Sequence, residues 1–423
     1  MLGGNMKRIV FFGIVLLAAT ALIGCGQQSE PAPQAAAPEQ TPVAVAAPAA
    51  EPGAFADGIY FAMEDDYASS GWKYVVSFEV EQGDFVWADW NGVHRDSGPD
   101  KKTLDKMGGY QMVARGGALD EWYVQAERTE AYLLETQDPS AISYTSDRGH
   151  TDDISRVTIR VVEFYDLVDQ ALAEGPSGPG AYEDGIYFTS AQAYSGNWRS
   201  TVAFNVINGY IAGVNWSAVD RDGRDKKSVD RDGGYQMVAR GGAIDEWYVQ
   251  AQRVENLLVD TQDPAIPYDD DGYTDAVSGV TIHIDDFVKL VQASLDHGPV
   301  EYPDLADGVY HAEADEYASS GWKGNVTLTV VNGFIADVNW SATHRDGRDK
   351  KTVDLEGGYQ MVARGGAIDE WYVQAQRVEN ELLRTQSTDI PYDDGGYTDA
   401  VSGVTIHIDE FVVLAEQAIE QAR

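Results

Sequence analysis

The chain has 423 residues, with 69 Asp or Glu against 30 Lys or Arg, a formal net charge of −39. A field of that sign repels nucleic-acid phosphates and anionic lipid headgroups, so no nucleic acid is expected as a partner. Cys25 is the single cysteine, which excludes intrachain disulfides, thiolate metal sites and Cys-x-x-Cys-His haem attachment and leaves the fold to packing of its 43% hydrophobic residues.

At the start, Lys7 and Arg8 precede the apolar run IVFFGIVLLAATALIG and Cys25, the pattern of a secretory signal too short to span a bilayer comfortably. Leu22-Ile23-Gly24-Cys25 resembles the lipobox of bacterial lipoproteins, where the cysteine becomes the acylated N-terminus. That resemblance implies a signal peptide at 1–24, lipidation of Cys25, and an extracytoplasmic chain anchored at the cell surface or the periplasmic face. Residues 25–56 are rich in Pro and Ala without hydrophobic periodicity and read as an extended tether. At polyproline pitch it reaches on the order of 100 Å.

From Asp57 the sequence repeats. The opening DG-I/V-Y recurs at Asp57, Asp184 and Asp307, and the string GGYQMVARGGAIDEWYVQAQRVEN is identical at 233–256 and 357–380. A threonine near the end of each copy stands at Thr158, Thr281 and Thr405, with spacings 281 − 158 = 123 and 405 − 281 = 124. A period of that size is domain-sized, so three tandem domains are expected at 57–175, 184–297 and 307–423, separated by short Gly/Pro-rich breaks.

Within a copy the expected class is α+β, an antiparallel sheet followed by packed helices. Asn208-Gly209 and Asn332-Gly333 sit between alternating apolar runs, a hairpin signal because both turn positions need positive φ. Trp247, Ala251, Val254 and Leu258 fall at i, i+4, i+7 and i+11, an amphipathic helix stripe. The segment 284–295 again has helical spacing.

Copies two and three close on TDAVSGVTIHIDDF (274–287) and TDAVSGVTIHIDEF (398–411), and copy one on TDDISRVTIRVVEF (151–164). Val280, Ile282 and Ile284 alternate with Thr281 and His283 as in a strand, yet Phe287, Val288 and Val291 continue at helical spacing. Asp285 and Asp286 suit the positive end of a helix. The expected arrangement is a glycine-allowed turn ending in a helix N-terminus, presenting backbone N–H groups and the hydroxyls of Ser278 and Thr281 to a phosphate.

The string Asp275-x-x-Ser278-Gly279-Val280-Thr281, closing a unit that opens on DG-x-Y and passes through an Asn-Gly hairpin, resembles the FMN-binding domain family. That family occurs in subunits of ion-translocating oxidoreductases and in flavin-bearing surface lipoproteins; its signature is Asp-x-x-Ser/Thr-Gly-Ala-Thr/Ser. The resemblance covers about nine tenths of the mature chain. It implies covalent FMN joined through its phosphate to Thr281 and Thr405 by a flavin transferase. Asp275, Ser278 and Gly279, with Asp399, Ser402 and Gly403, are then the surrounding signature residues. All three copies depart from the signature at Val157, Val280 and Val404, where the family has Ala. Copy one also carries Arg156 in place of the glycine, so two flavins are expected and Thr158 stands as the departing third position.

Other residues carry two readings each. Arg240, Lys226, Lys227 and Arg253, matched by Arg364, Lys350, Lys351 and Arg377, either neutralise a phosphate or reduced flavin or pair with the many carboxylates. Trp72, Trp198 and Trp322 are candidates to stack on a flavin ring, whereas Trp122, Trp247 and Trp371 read as core. The acidic loops 268–275 and 392–399 lack EF-hand spacing and read as solvated loops, and His283 and His407 as helix-surface histidines.

With no Gly-x-Gly-x-x-Gly unit and no separate oxidoreductase domain, the expected role is an electron carrier serving redox partner proteins or external acceptors, rather than an enzyme with its own substrate. The alternative is a non-redox structural or binding lipoprotein using the same scaffold without flavin.

Overall fold

The computed structural model describes residues 55–423. The expected signal peptide, Cys25 and nearly all of the tether lie outside the described residues.

Unit 1 begins with strands β1 (Gly58–Met63), β2 (Trp72–Glu81) and β3 (Asp84–His94), then helices α1 (Lys101–Lys106), α2 (Met112–Gly116), α3 (Trp122–Thr136) and α4 (Val162–Glu174). Unit 2 repeats this as β4 (Gly185–Ser190), β5 (Trp198–Ile207), β6 (Tyr210–Asp220), α5 (Lys226–Arg231), α6 (Met237–Gly241), α7 (Trp247–Thr261) and α8 (Asp285–His297). Unit 3 follows with β7 (Gly308–Glu313), β8 (Trp322–Val331), β9 (Phe334–His344), α9 (Lys350–Leu355), α10 (Met361–Gly365), α11 (Trp371–Thr385) and α12 (Asp409–Ala422). Each sheet is a three-stranded antiparallel meander, and helices cover one of its faces. The expected α+β class and three tandem units are what the chain forms.

The Asn-Gly turns close their hairpins as the sequence requires. Asn208 and Gly209 have φ of 53° and 82°, and Ile207 pairs with Tyr210 across them. Both central residues are left-handed, the geometry that matches strand twist. On β5, Val202, Phe204 and Val206 point to the helices and meet Trp247, Ala251, Val254 and Leu258, the stripe predicted for α7.

Two side chains on α7 lock that helix to the sheet edge. The Glu255 carboxylate accepts the backbone N–H of Trp216 at 2.6 Å. Gln262, the left-handed residue ending α7, accepts the N–H of Ile211 at 2.8 Å and donates to its carbonyl at 2.9 Å. The carboxamide pairs with β6 as a neighbouring strand would, so this edge offers no free ladder there. Units 1 and 3 repeat both contacts.

The opposite sheet faces dock the units on one another. Phe61, Val75 and Val93 of unit 1 bury Ile207 and Ala212 of unit 2, with Phe61 stacked on Tyr210 at 4.1 Å. Phe188, Ile186 and Val219 of unit 2 meet Phe334 and Ala336 of unit 3 in the same way. The Gly/Pro-rich breaks are held along this surface: Val300 bridges Ile186, and Tyr302 packs edge-on to Phe334.

Candidate functional site

The segment leading into the motif of unit 2 is the acidic loop. Its Asp269 carboxylate accepts the N–H groups of Asp271 and Tyr273 at 3.0 and 2.9 Å, so the loop's own backbone uses that charge. The Thr274 hydroxyl then donates to the Pro267 carbonyl at 2.6 Å and accepts the Ala276 N–H at 3.0 Å. These contacts fix the entry to a turn at Ser278-Gly279.

Gly279 has φ of +77° and Gly403 of +76°, a region that costs a Cβ-bearing residue. Beyond the turn the chain does not enter a helix at once but passes through a bend at Ile282. Ile282 and Ile284 are buried, Thr281 and His283 exposed. Helix α8 starts only at Asp285, and its N-cap Ile284 offers no side-chain acceptor. The expectation of a helix N-terminus at the motif is thus corrected: the alternation around Thr281 is real, with no strand partner among the described residues to make it a sheet. His283 is likewise not on a helix. It stands between the turn and α8, hydrogen-bonded to the Tyr273 hydroxyl at 2.7 Å, as His407 is to Tyr397 at 2.6 Å.

The partner of this stretch is a glutamine. Gln250 on α7 is fully buried, and its Oε1 accepts both the Thr281 N–H at 2.7 Å and the Thr281 hydroxyl at 3.1 Å. Its Nε2 donates to the Asp245 carbonyl at 2.8 Å. Gln374 does the same for Thr405, and Gln125 for Thr158. The backbone N–H of the motif threonine therefore points inward to a carboxamide, against the expectation that it faces a phosphate. The hydroxyl proton also points inward, which leaves the Oγ1 lone pairs toward solvent. Asp275, Ser278, Asp399 and Ser402 are exposed, and their side chains make no hydrogen bond among the described residues.

Sequence reasoning missed the glutamine. The signal was a polar residue three positions after Trp247, on the stripe that α7 buries.

Arg253 completes the turn in unit 2, donating to the Gly279 carbonyl at 2.7 Å and pairing with Asp245 at 2.7 Å. A Cβ on Gly279 would lie 2.8 Å from the Arg253 Nη1. Unit 1 shows how a side chain is accommodated. Arg156 takes φ of +64° and forks onto Asp120 at 2.8 and 2.7 Å. Arg128, the counterpart of Arg253, keeps its contact to the carbonyl at residue 156 only at 3.3 Å. The two guanidiniums on Asp120 hold its carboxyl well below the usual range.

Beside Thr405 lies a cleft of about 470 Å³, lined among others by Trp340, Lys350, Tyr359, Trp371 and Glu410. The Lys350 ammonium stands 4.1 Å from the Trp371 ring centre and 5.0 Å from that of Tyr359, with no carboxylate in salt-bridge contact among the described residues. Burial pushes its pKa down to about 8, with Glu410 and Asp354 opposing. Lys226 has the same setting over Trp247 and Tyr235, at 4.1 and 4.9 Å, and burial likewise takes it to about 8.

The basic set therefore divides. Lys227 and Lys351 pair with buried Glu255 and Glu379 at 2.5 Å and are structural. Lys226 and Lys350 face aromatic surface, and Arg240 and Arg364 are exposed on short helices. Trp247 and Trp371, expected in the core, are buried there, and Trp371 also forms one wall of the cleft beside Thr405.

A second cavity, of about 710 Å³, lies between units 2 and 3. It joins Val401 and Ser402 of one motif to Gln192, Asp286 and Leu290 of the preceding unit.

No protein-family description matches the chain, and no curated protein matches it. Two solved structures are similar to part of it. One, a solution structure from Clostridium thermocellum, is 52% identical with a TM-score of 0.23, over 28% of this chain and 90% of its own. The other, a crystal structure of a protein from Clostridium perfringens, is 23% identical with a TM-score of 0.24, over 28% of this chain and 88% of its own.

Proposed function

We propose that the chain is an extracytoplasmic electron carrier, anchored through Cys25, that holds FMN covalently on Thr281 and Thr405. The observation that carries this reading is the placement of Thr405: its exposed hydroxyl borders a cleft walled by Trp340, Trp371 and Tyr359, with a lysine among the rings. The residues fit the group. Flat aromatic walls suit an isoalloxazine ring, Lys350 or Lys226 opposes negative charge on it, and Trp216, the counterpart of cleft-lining Trp340, has a buried indole N–H without an acceptor among the described residues, as Trp90 has in unit 1. When bound, FMN supplies exchange of one or two electrons.

Attachment joins the threonine Oγ1 to the phosphorus of the FMN phosphate. The hydroxyl proton would pass to a base, and the phosphoanhydride bond of a flavin-bearing dinucleotide donor would break, its other nucleotide leaving as a monophosphate. The Gln250 and Gln374 carboxamides orient the hydroxyl but are too weak as bases to take its proton, so the base belongs to a separate flavin transferase. The exposed Asp275, Ser278, Asp399 and Ser402 are free for that enzyme to read.

The test is an intact mass of the chain made together with a flavin transferase. Two FMN increments are expected, with Thr281→Ala and Thr405→Ala each removing one. A mass without increments, or peptides mapping the flavin to other residues, overturns the reading in favour of a structural or binding lipoprotein.

A further inference from the structure

One position on the second strand of each unit differs in a way the motif does not explain. It is Tyr74 in unit 1, Ser200 in unit 2 and Gly324 in unit 3, each two residues after the strand's first tryptophan. In unit 3 a Cβ added at Gly324 would lie 2.3 Å from the Glu410 carboxylate, one of the groups lining the cleft beside Thr405. In unit 2 the Ser200 hydroxyl is 3.2 Å from Asp286, the counterpart of Glu410. A side chain at this position in unit 3 thus meets a carboxylate that lines the cleft, and Ser200 meets the matching carboxylate in unit 2.

In unit 1 the residue here is aromatic. The Tyr74 ring stacks on Trp122, 5.9 Å between centroids and 15° from parallel, and lies 5.4 Å from Trp90. These tryptophans are the counterparts of Trp371 and Trp340. The Lys101 ammonium sits 4.6 Å from the centre of the Tyr74 ring and donates to its hydroxyl at 2.9 Å. Lys101 is 1% exposed, whereas Lys226 and Lys350 are only half-buried. Across the strand pair from Tyr74 stands Gly92, where a Cβ would only touch the Tyr74 ring, at 3.4 Å from Cδ1. Unit 3 has Ala342 there, lining its open cleft.

We propose that Tyr74 is a built-in occupant of a ring site: it shows, inside unit 1, how the cleft of unit 3 and the matching lysine and rings of unit 2 hold a planar aromatic ligand. The ligand class is a flat ring lying on Trp247 or Trp371 with an acceptor atom at its edge facing Lys226 or Lys350. That this ring belongs to the covalent flavin rests on the reading above. Unit 1 is then closed twice, by Arg156 at the attachment turn and by Tyr74 in the cleft.

The experiment titrates the full chain, made without flavin transferase and purified in detergent, with lumiflavin, an isoalloxazine lacking the ribityl phosphate. Quenching of flavin and tryptophan emission reads the binding. Two sites are expected for the wild type, one for Ser200→Tyr, and three for Tyr74→Ser. Thermal melts identify a variant that has failed to fold, and Tyr74→Ser tests the same inference by a gain.

Ser200→Tyr binding as much lumiflavin as wild type with an unchanged melt overturns the inference, as does a wild type that binds none. FMN increments on Thr281 and Thr405 alongside either result leave the covalent reading standing. Lumiflavin binding in the expected pattern with no FMN increments supports the ring site and sinks covalent attachment.

Discussion

At Thr405 both polar hydrogens, backbone and hydroxyl, converge on the single oxygen Oε1 of Gln374. Removing that acceptor strands a backbone N–H, and an unsatisfied donor of this kind costs about 1–3 kcal/mol. Gln374→Ala is therefore expected to lower the stability of unit 3 by about 2 kcal/mol, read as a shift of the urea midpoint at constant slope. An unshifted midpoint means the segment is held by other contacts. Gly403→Ala acts through the backbone instead, since φ of +76° costs an L-residue about 1–2 kcal/mol. The glycine was legible in the sequence because only a positive φ makes Ser-Gly worth repeating. The glutamine was not, because a lone Gln gives no sign of which face of a helix it occupies until the neighbouring segment is in place.

Among the elements, α3 is tied to β3 through Lys102, which bridges Asp89 at 2.6 Å and Glu130 at 2.7 Å. Burial, with the Asp89 charge adding to it and Lys102 opposing, pushes the Glu130 carboxyl up to about 7. The unfolded value is about 4.3. Between these two the folded chain keeps a proton that the unfolded chain has lost, so stability falls as pH rises through that window. Burial raises Glu255 and Glu379 as well, with the same sign. The melting temperature is thus expected to be higher at pH 5 than at pH 7.5, and Asp89→Asn to flatten that dependence. Calorimetry across the range checks it; a chain more stable at the higher pH contradicts the assignment. Units 2 and 3 already have Asn215 and Asn339 at this position. Hairpins and the α7 stripe were legible from local spacing alone. The start of α8 was not, because acidic residues after an apolar alternation suit a helix beginning anywhere between Thr281 and Asp285.

Across the whole molecule, the three units share contacts that an account of separate tandem domains does not contain. The sequence does hold the clue. Phe61 and Phe188 become His311 in unit 3, and Val93 and Val219 become Thr343, so the face that docks a following unit turns polar in the last copy. Such a pattern reads as docking only once register has put these residues on the sheet face away from the helices. The polar centre of the junction between units 2 and 3 is Asp337, which pairs with Arg199 and accepts the Tyr194 hydroxyl at 2.6 Å. Arg199 is 4% exposed, so its charge has little water to fall back on. Breaking a buried pair from one side costs about 3–5 kcal/mol, because the remaining charge is left uncompensated. Asp337→Ala is expected to impose that cost on the junction rather than on either core, since the partners of Asp337, Arg199 and Tyr194, belong to unit 2. Unfolding of the described region should then separate into more than one calorimetric transition, with faster proteolysis in the break at 296–305. Asp337→Asn, which keeps an acceptor for Tyr194, should show a smaller change. A single transition at the wild-type temperature in Asp337→Ala would mean that the stacked Phe188 and Phe334 rings hold the junction without the ion pair.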